Sequence, residues 1–300
     1  KRLLPPRSNS AEKRKVAVVW EILRTFVAMK NFWTRTFTGA VYVALIVAGV
    51  LIHPIGFAAL CCLLAGLAIS ELRKIAAPQS PTSLILFDTV GALVMVMGAW
   101  SCLAMPESRM TWKVWGLVFL LWYIARVIFQ IYRRDGQPLR DLGVTFIGLL
   151  WIALPIALMS LVYGTGTGKV LVLSMFIMIW MNDTGAYLVG CTIGKHRLFE
   201  RISPKKSWEG FFGGLVFAVL AGYVIGKVCS LNPLHMAGMG LVVSVFATYG
   251  DLLESLLKRS LGIKDSGNIL PGHGGILDRI DSLLLVSPAV VLYFLCLTMC

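Results

Sequence analysis

KVLVLSMFIMIWMNDTGAYLVG, residues 169–190, is an apolar run with one carboxylate inside it, Asp183. A helix needs about 20 predominantly apolar residues to cross a bilayer, and this run supplies them. A charge at such depth costs roughly 2.5–3.5 kcal/mol on insertion scales. The stretch therefore reads as a spanning helix whose acid has either a partner or a task.

The same pattern recurs along the chain. Apolar runs at 36–52, 55–72, 83–104, 113–132, 142–162, 210–229, 235–257 and 281–299 bring the predicted spans to nine. Pro54, the Gly164–Gly168 stretch and Asn232-Pro233 mark turns between them. Of the 300 residues, 57% are hydrophobic and only 14% charged, far from a soluble domain with about a quarter charged. The fold class predicted is all-α, a polytopic helical bundle in a membrane.

Charge placement orients it. Nine Lys/Arg precede Thr36, and the even-numbered connections carry most of the others. Only Arg109, Lys113, Lys169 and Lys227 fall on the opposite side, four against 24 of the 28. By the positive-inside rule the N-terminus is cytoplasmic and the C-terminus outside. The net charge of +13 thus needs no nucleic acid to explain it. Three regions follow: a basic tail over 1–35, an N-terminal membrane region over 36–165, and a C-terminal membrane region over 166–300, the one expected to be catalytic from the acids and the resemblance described below. Within the tail, Val16, Val19, Trp20, Leu23, Phe26 and Val27 follow helical spacing. They suit an interfacial amphipathic helix or one packed on the bundle. The tail begins polar and basic, without the pattern of a cleavable signal. The seven cysteines lack metal-ligand spacing and read as small apolar residues.

The acids cluster. Asp183, the pair Asp251 and Glu254, and the pair Asp278 and Asp281 come from three spans and lie at similar depth near the inner face. Asp251, Glu254 and Lys258 share one helix face, as do Asp278 and Asp281, and Asp183 with Tyr187. Hard oxygen ligands beside lysines suit Mg²⁺ and phosphate. Ion pairs such as Glu254 with Lys258 are the competing use. Before the seventh span, Lys205, Lys206 and Ser207 lead into Gly210, Gly213 and Gly214, where helix-start amides could meet a polyphosphate. Between Gly262 and Gly275 the glycines permit close backbone approach, and His273 could donate to a phosphate.

SLLKRSLGIKDSGNILPGHGGILDRID, Ser255 to Asp281, resembles the signature of the phosphatidate cytidylyltransferases, or CDP-diacylglycerol synthases. NDTGAYLVG and SPKKSWEG resemble two further family segments in the expected order. The resemblance covers Asn182 to Asp281. It implies an integral inner-membrane enzyme, facing the cytoplasm, that joins CTP to phosphatidic acid and releases pyrophosphate. It implies Mg²⁺, with room for a second cation, and allows a homodimer among membrane lipids. On this reading Asp183, Asp251, Asp278 and Asp281 are the metal-ligand candidates. Asp251, Asp278, Asp281, Lys258 and Arg279 are the catalytic candidates. Lys205, Lys206, Ser207, Arg259, Lys264, His273, Gly274, Gly275 and Tyr187 are the substrate-binding candidates. A CTP-dependent polyprenol or phytol kinase and an ion-coupled transporter are the alternatives.

Overall fold

The computed structural model describes residues 36–104, 109–134, 137–267, 269 and 274–299. The possible tail helix at 16–30 and His273 lie outside them. Among the described residues nine helices form, of which eight are long and apolar enough to cross a membrane; α1 (Thr36–Leu51) is shorter. The others are α2 (Pro54–Ala76), α3 (Thr82–Ala104), α4 (Arg109–Tyr132), α5 (Pro138–Tyr163), α6 (Gly168–Ile193), α7 (Trp208–Val228), α8 (Pro233–Ser260) and α9 (Leu277–Met299). A two-stranded antiparallel hairpin, β1 (Arg197–Phe199) and β2 (Ser203–Ser207), joins α6 to α7.

The predicted turns are where the helices stop and start. His53 accepts from the Ile55 amide at 3.1 Å, with Pro54 at the first helical position. Asn232 accepts from Leu234 and His235 at 3.0 and 3.3 Å ahead of α8, again with proline following. Both pairings satisfy amides that a helix start leaves without intrahelical partners. Two boundaries differ from expectation in ways that matter. Helix α9 begins at Leu277 rather than 281, so Asp278 and Asp281 both lie within it. Helix α5 runs continuously from Pro138 but widens to π geometry over Gly148–Ala153. Pro155 follows this stretch. It has no N–H for the ladder, so the ladder loosens ahead of it.

The helices pack in two sets. Helix α7 lies along both α6 and α8, and α8 lies along α9; α2, α3, α4 and α5 form the other set, joined to the first through α5 and α9. Ile152, Ile156, Met159, Met175, Met178, Met239, Ile280 and Leu284 fill the shared core. Leu63, Leu117, Leu220, Val224 and Leu292 point outward and are half or more exposed, as lipid-facing side chains are.

The N-terminal set also encloses charge that the sequence reading placed in a loop or at a helix end. Arg73 and Arg126 are 0% and 1% exposed. Arg73 pairs with Asp88 and, at 3.2 Å, with Asp141. Arg126 pairs with Asp88 at 3.0 Å, and Arg133 with Asp141 at 2.5 Å. Thr145 accepts from both Arg73 and Arg126, at 2.7 and 2.9 Å. Charges that cannot reach water are thus met by one another across four helices.

Candidate active site

Two helices bring three acids to one place. Asp251 and Glu254 are on α8 and Asp281 is on α9, and their carboxylate oxygens lie within 4.8 Å of one another. Glu254 is 1% exposed, and its Oε1 has no hydrogen-bond partner. An orphaned buried carboxylate oxygen beside two further carboxylates fits a hard cation. The trio could hold a metal ion. Glu254, grouped with the clustered acids but not named among the metal-ligand candidates, belongs to this trio and also pairs with Lys258.

Asp278 stands differently from the other acids. Its Oδ1 accepts from Lys258 at 2.7 Å, and its Oδ2 accepts from the amides of Ser266 and Gly275 at 3.0 and 2.9 Å. Lys258 also reaches Glu254 at 2.5 Å. Lys258 therefore ties α8 to the first turn of α9, with its charge set between two carboxylates. Gly274 turns the chain at φ +84°, and a Cβ there would sit 2.7 Å from Asp278 Oδ2. Its glycine serves the fold of the turn at this point.

Two polar cavities meet at Asp183. One, of about 320 Å³, is lined by Asp183, Tyr187, Lys205, Lys206, Ser207 and Asp251, among others. The other, of about 270 Å³, is lined by Asp183, Asp278, Arg279 and Asp281, together with Tyr42 and Thr38 of α1. Lys206 bonds Asp251 at 2.6 Å across the first cavity. Asn182 braces the neighbouring wall: its Oδ1 accepts from Ser244 at 2.6 Å, joining α6 to α8.

The basic loop is shaped by its own contacts. Ser207 is buried and caps α7, accepting from the Gly210 amide at 3.1 Å. Glu209 accepts from the amides of Lys195 and His196 at 3.1 and 3.2 Å and meets His196 Nδ1 at 2.6 Å. These contacts close the hairpin and hold Lys205 and Lys206 on β2 at the cavity mouth. Arg259, at the exposed end of α8, and Lys264, on the following turn, line neither polar cavity.

The residue overlooked in the sequence is Glu71 of α2. It is 2% exposed and accepts from the amides of Ile276 and Leu277 at 3.0 and 2.9 Å. Its position one residue before the end of predicted span 55–72 makes it read as an interfacial acid. The signal that could have flagged it is the absence of a Ser, Thr, Asp or Asn at position 276, where α9 needs a cap.

Fold and site together define a helical, integral membrane protein with a carboxylate-rich pocket opening beside paired lysines. The chain belongs to the cytidylyltransferase family, whose model it matches over residues 33–297. Proteins named phosphatidate cytidylyltransferase are similar to it. One from Staphylococcus epidermidis is 48% identical over 119 residues, 39% of this chain and 46% of that protein. Another, from Bacillus subtilis, is 50% identical over 121 residues, 40% of this chain and 44% of that protein. One from Staphylococcus aureus is 47% identical over 119 residues, 39% and 46% of the two chains. The matched stretch thus spans less than half the length of each of these relatives.

Proposed function

We propose that this protein condenses CTP with phosphatidic acid, giving CDP-diacylglycerol and pyrophosphate. The observation that carries this is the meeting of two polar cavities at Asp183, beside the trio Asp251, Glu254 and Asp281. One cavity opens by Lys205 and Lys206, and on this reading takes the triphosphate. The other lies against α1 and takes the lipid phosphate. Thr38 and Tyr42 also line an apolar cavity of about 210 Å³ formed with α2, which suits an acyl chain.

In the reaction a phosphate oxygen of the lipid attacks the α-phosphorus of CTP. The bond from that phosphorus to the bridging oxygen breaks, and pyrophosphate leaves with the electron pair. Such in-line displacement needs nucleophile and leaving group on opposite sides of phosphorus. Two cavities that meet at Asp183 would let the reactants approach that phosphorus from opposite sides. The lipid phosphate is already a nucleophile, so the main tasks are charge neutralisation and positioning. Lys205 and Lys206 neutralise the triphosphate, with Lys206 released from Asp251 to do so. Arg279 lines the second cavity and offers its charge to the lipid phosphate, while Lys258 offsets Glu254 and Asp278. Asp251, Glu254 and Asp281 would hold Mg²⁺, which when bound offsets phosphate charge; Asp183 borders the same space. Asp278, engaged by Lys258 and two amides, orients the turn rather than completing the trio.

The positive-inside rule supports a pocket facing the cytoplasm, where CTP is dissolved, with phosphatidic acid in the adjoining leaflet. The test is purified protein with phosphatidic acid and CTP carrying label in either the α- or the γ-phosphate. Label from the α-phosphate entering lipid, with pyrophosphate released and EDTA stopping it, supports the proposal. The γ-label entering lipid would mean a kinase. Ion flux in proteoliposomes without CTP turnover would mean a transporter.

A further inference from the structure

We infer that Glu71, from the N-terminal set of helices, is a positioning residue for the start of α9, the helix that carries Asp278 and Asp281. The inference rests on the nucleotidyl-transfer reading for its kinetic consequence, though not for its structural one. The first amides of a helix have no intrahelical acceptor. Residue 276, just ahead of α9, is isoleucine and offers none. Glu71 replaces the missing cap from 205 residues away: Oε1 accepts from Ile276 N at 3.0 Å. Its Oε2 accepts from Leu277 N at 2.9 Å and from the Ser266 hydroxyl at 3.3 Å. An anion at this end of α9 is also favoured by the helix dipole.

The glycines of the turn record the same contact. A Cβ on Gly267 would lie 2.7 Å from Glu71 Oε1, and its two next-nearest neighbours are also Glu71 atoms. A Cβ on Gly275 would lie 2.1 Å from Ser266 Oγ and 2.5 Å from Glu71 Oε2. The sequence suggests glycines making room for phosphate; at these two positions they make room for Glu71. The carboxylate is itself held firmly. Two residues on, Arg73 is locked into the buried pairs with Asp88 and Asp141. The ion network of the N-terminal set thus fixes α2, α2 fixes Glu71, and Glu71 fixes where α9 starts. Each residue turns a helix by about 100°, so a slip of one residue in that start would carry Asp281 away from Asp251 and Glu254.

The experiment uses the full chain in detergent, with E71Q, E71A, G267A and the double variant E71A/G267A. Hydrogen exchange over residues 264–281, thermal midpoint, kcat and the KM for CTP are measured. E71Q keeps the shape but loses one acceptor. Its exchange should rise at Ile276 and Leu277 while the thermal midpoint stays near wild type. Its kcat should fall about 10- to 100-fold, with the KM for CTP within about twofold, the pattern of a misplaced group rather than lost binding. G267A alone should show a similar loss, and E71A/G267A should be no worse than E71A, because the clash is with Glu71. Unchanged exchange and kcat in E71Q would overturn the proposal. So would losses that only track the amount of folded protein, or losses in the double variant that multiply. If the wild type transfers no cytidylyl group, the nucleotidyl-transfer reading fails, while exchange and the coupling of thermal midpoints still decide the role of Glu71.

Discussion

Lys258 spans 2.5 Å to Glu254 and 2.7 Å to Asp278, so one cation serves two acids on two helices. Removing a partner from a largely buried ion pair is costly because a charge is left stranded. Lys258→Met should lower stability by about 3 kcal/mol, somewhat less where its part-exposed end lets in water, and reduce turnover. Thermal denaturation in micelles with a parallel activity assay checks both. The acids themselves separate by role. On the proposed reading, in which the trio holds Mg²⁺, Asp281→Asn should cut turnover roughly a hundredfold or more and raise the Mg²⁺ concentration needed. Asp278→Asn should also cut turnover but leave that Mg²⁺ requirement near wild type, because its oxygens face Lys258 and amides. Activity titrated with Mg²⁺ in both variants distinguishes the two, provided each still inserts and purifies.

Helices α8 and α9 approach closely where they carry the trio. A Cβ on Gly250 would lie 2.6 Å from the Asp281 carbonyl oxygen and 3.0 Å from the Ser282 Cα. The contact is backbone to backbone, the close packing that small residues allow in membranes. Gly250→Ala must push the two helices apart, at about 1–3 kcal/mol for overpacking, and so widen the gap between Asp251 and Asp281. We expect a loss of turnover larger than the loss of stability, read from the thermal midpoint against kcat. At this scale the sequence was largely readable. Periodic apolar runs and Pro or Gly breaks marked the nine helices among the described residues; eight are long and apolar enough to cross a bilayer, and α1, predicted as a span over 36–52, is shorter. The π-helical stretch before Pro155 was not readable, because which carbonyls a widened turn engages depends on neighbours in space.

Across the whole molecule, two sets of helices divide the labour. The C-terminal set holds the acids and lysines, while the N-terminal set encloses the Arg73, Asp88, Arg126 and Asp141 network. Asp88→Asn should leave Arg126 short of a charge partner and destabilise the protein by about 3–5 kcal/mol. The fall in thermal midpoint should be accompanied by faster exchange at the Glu71-held turn, measured in one hydrogen-exchange experiment. The sequence by itself determined the class of the protein. A chain this apolar is built to cross a membrane, and the acids recurring inside its spans need partners there. Only the tertiary structure decided which acids stand together. Side chains meet according to helix rotation and crossing, which hydropathy does not encode. Thus Glu254 joined Asp251 and Asp281, Asp278 went to Lys258 and two amides, and Glu71 crossed from the other half to cap α9.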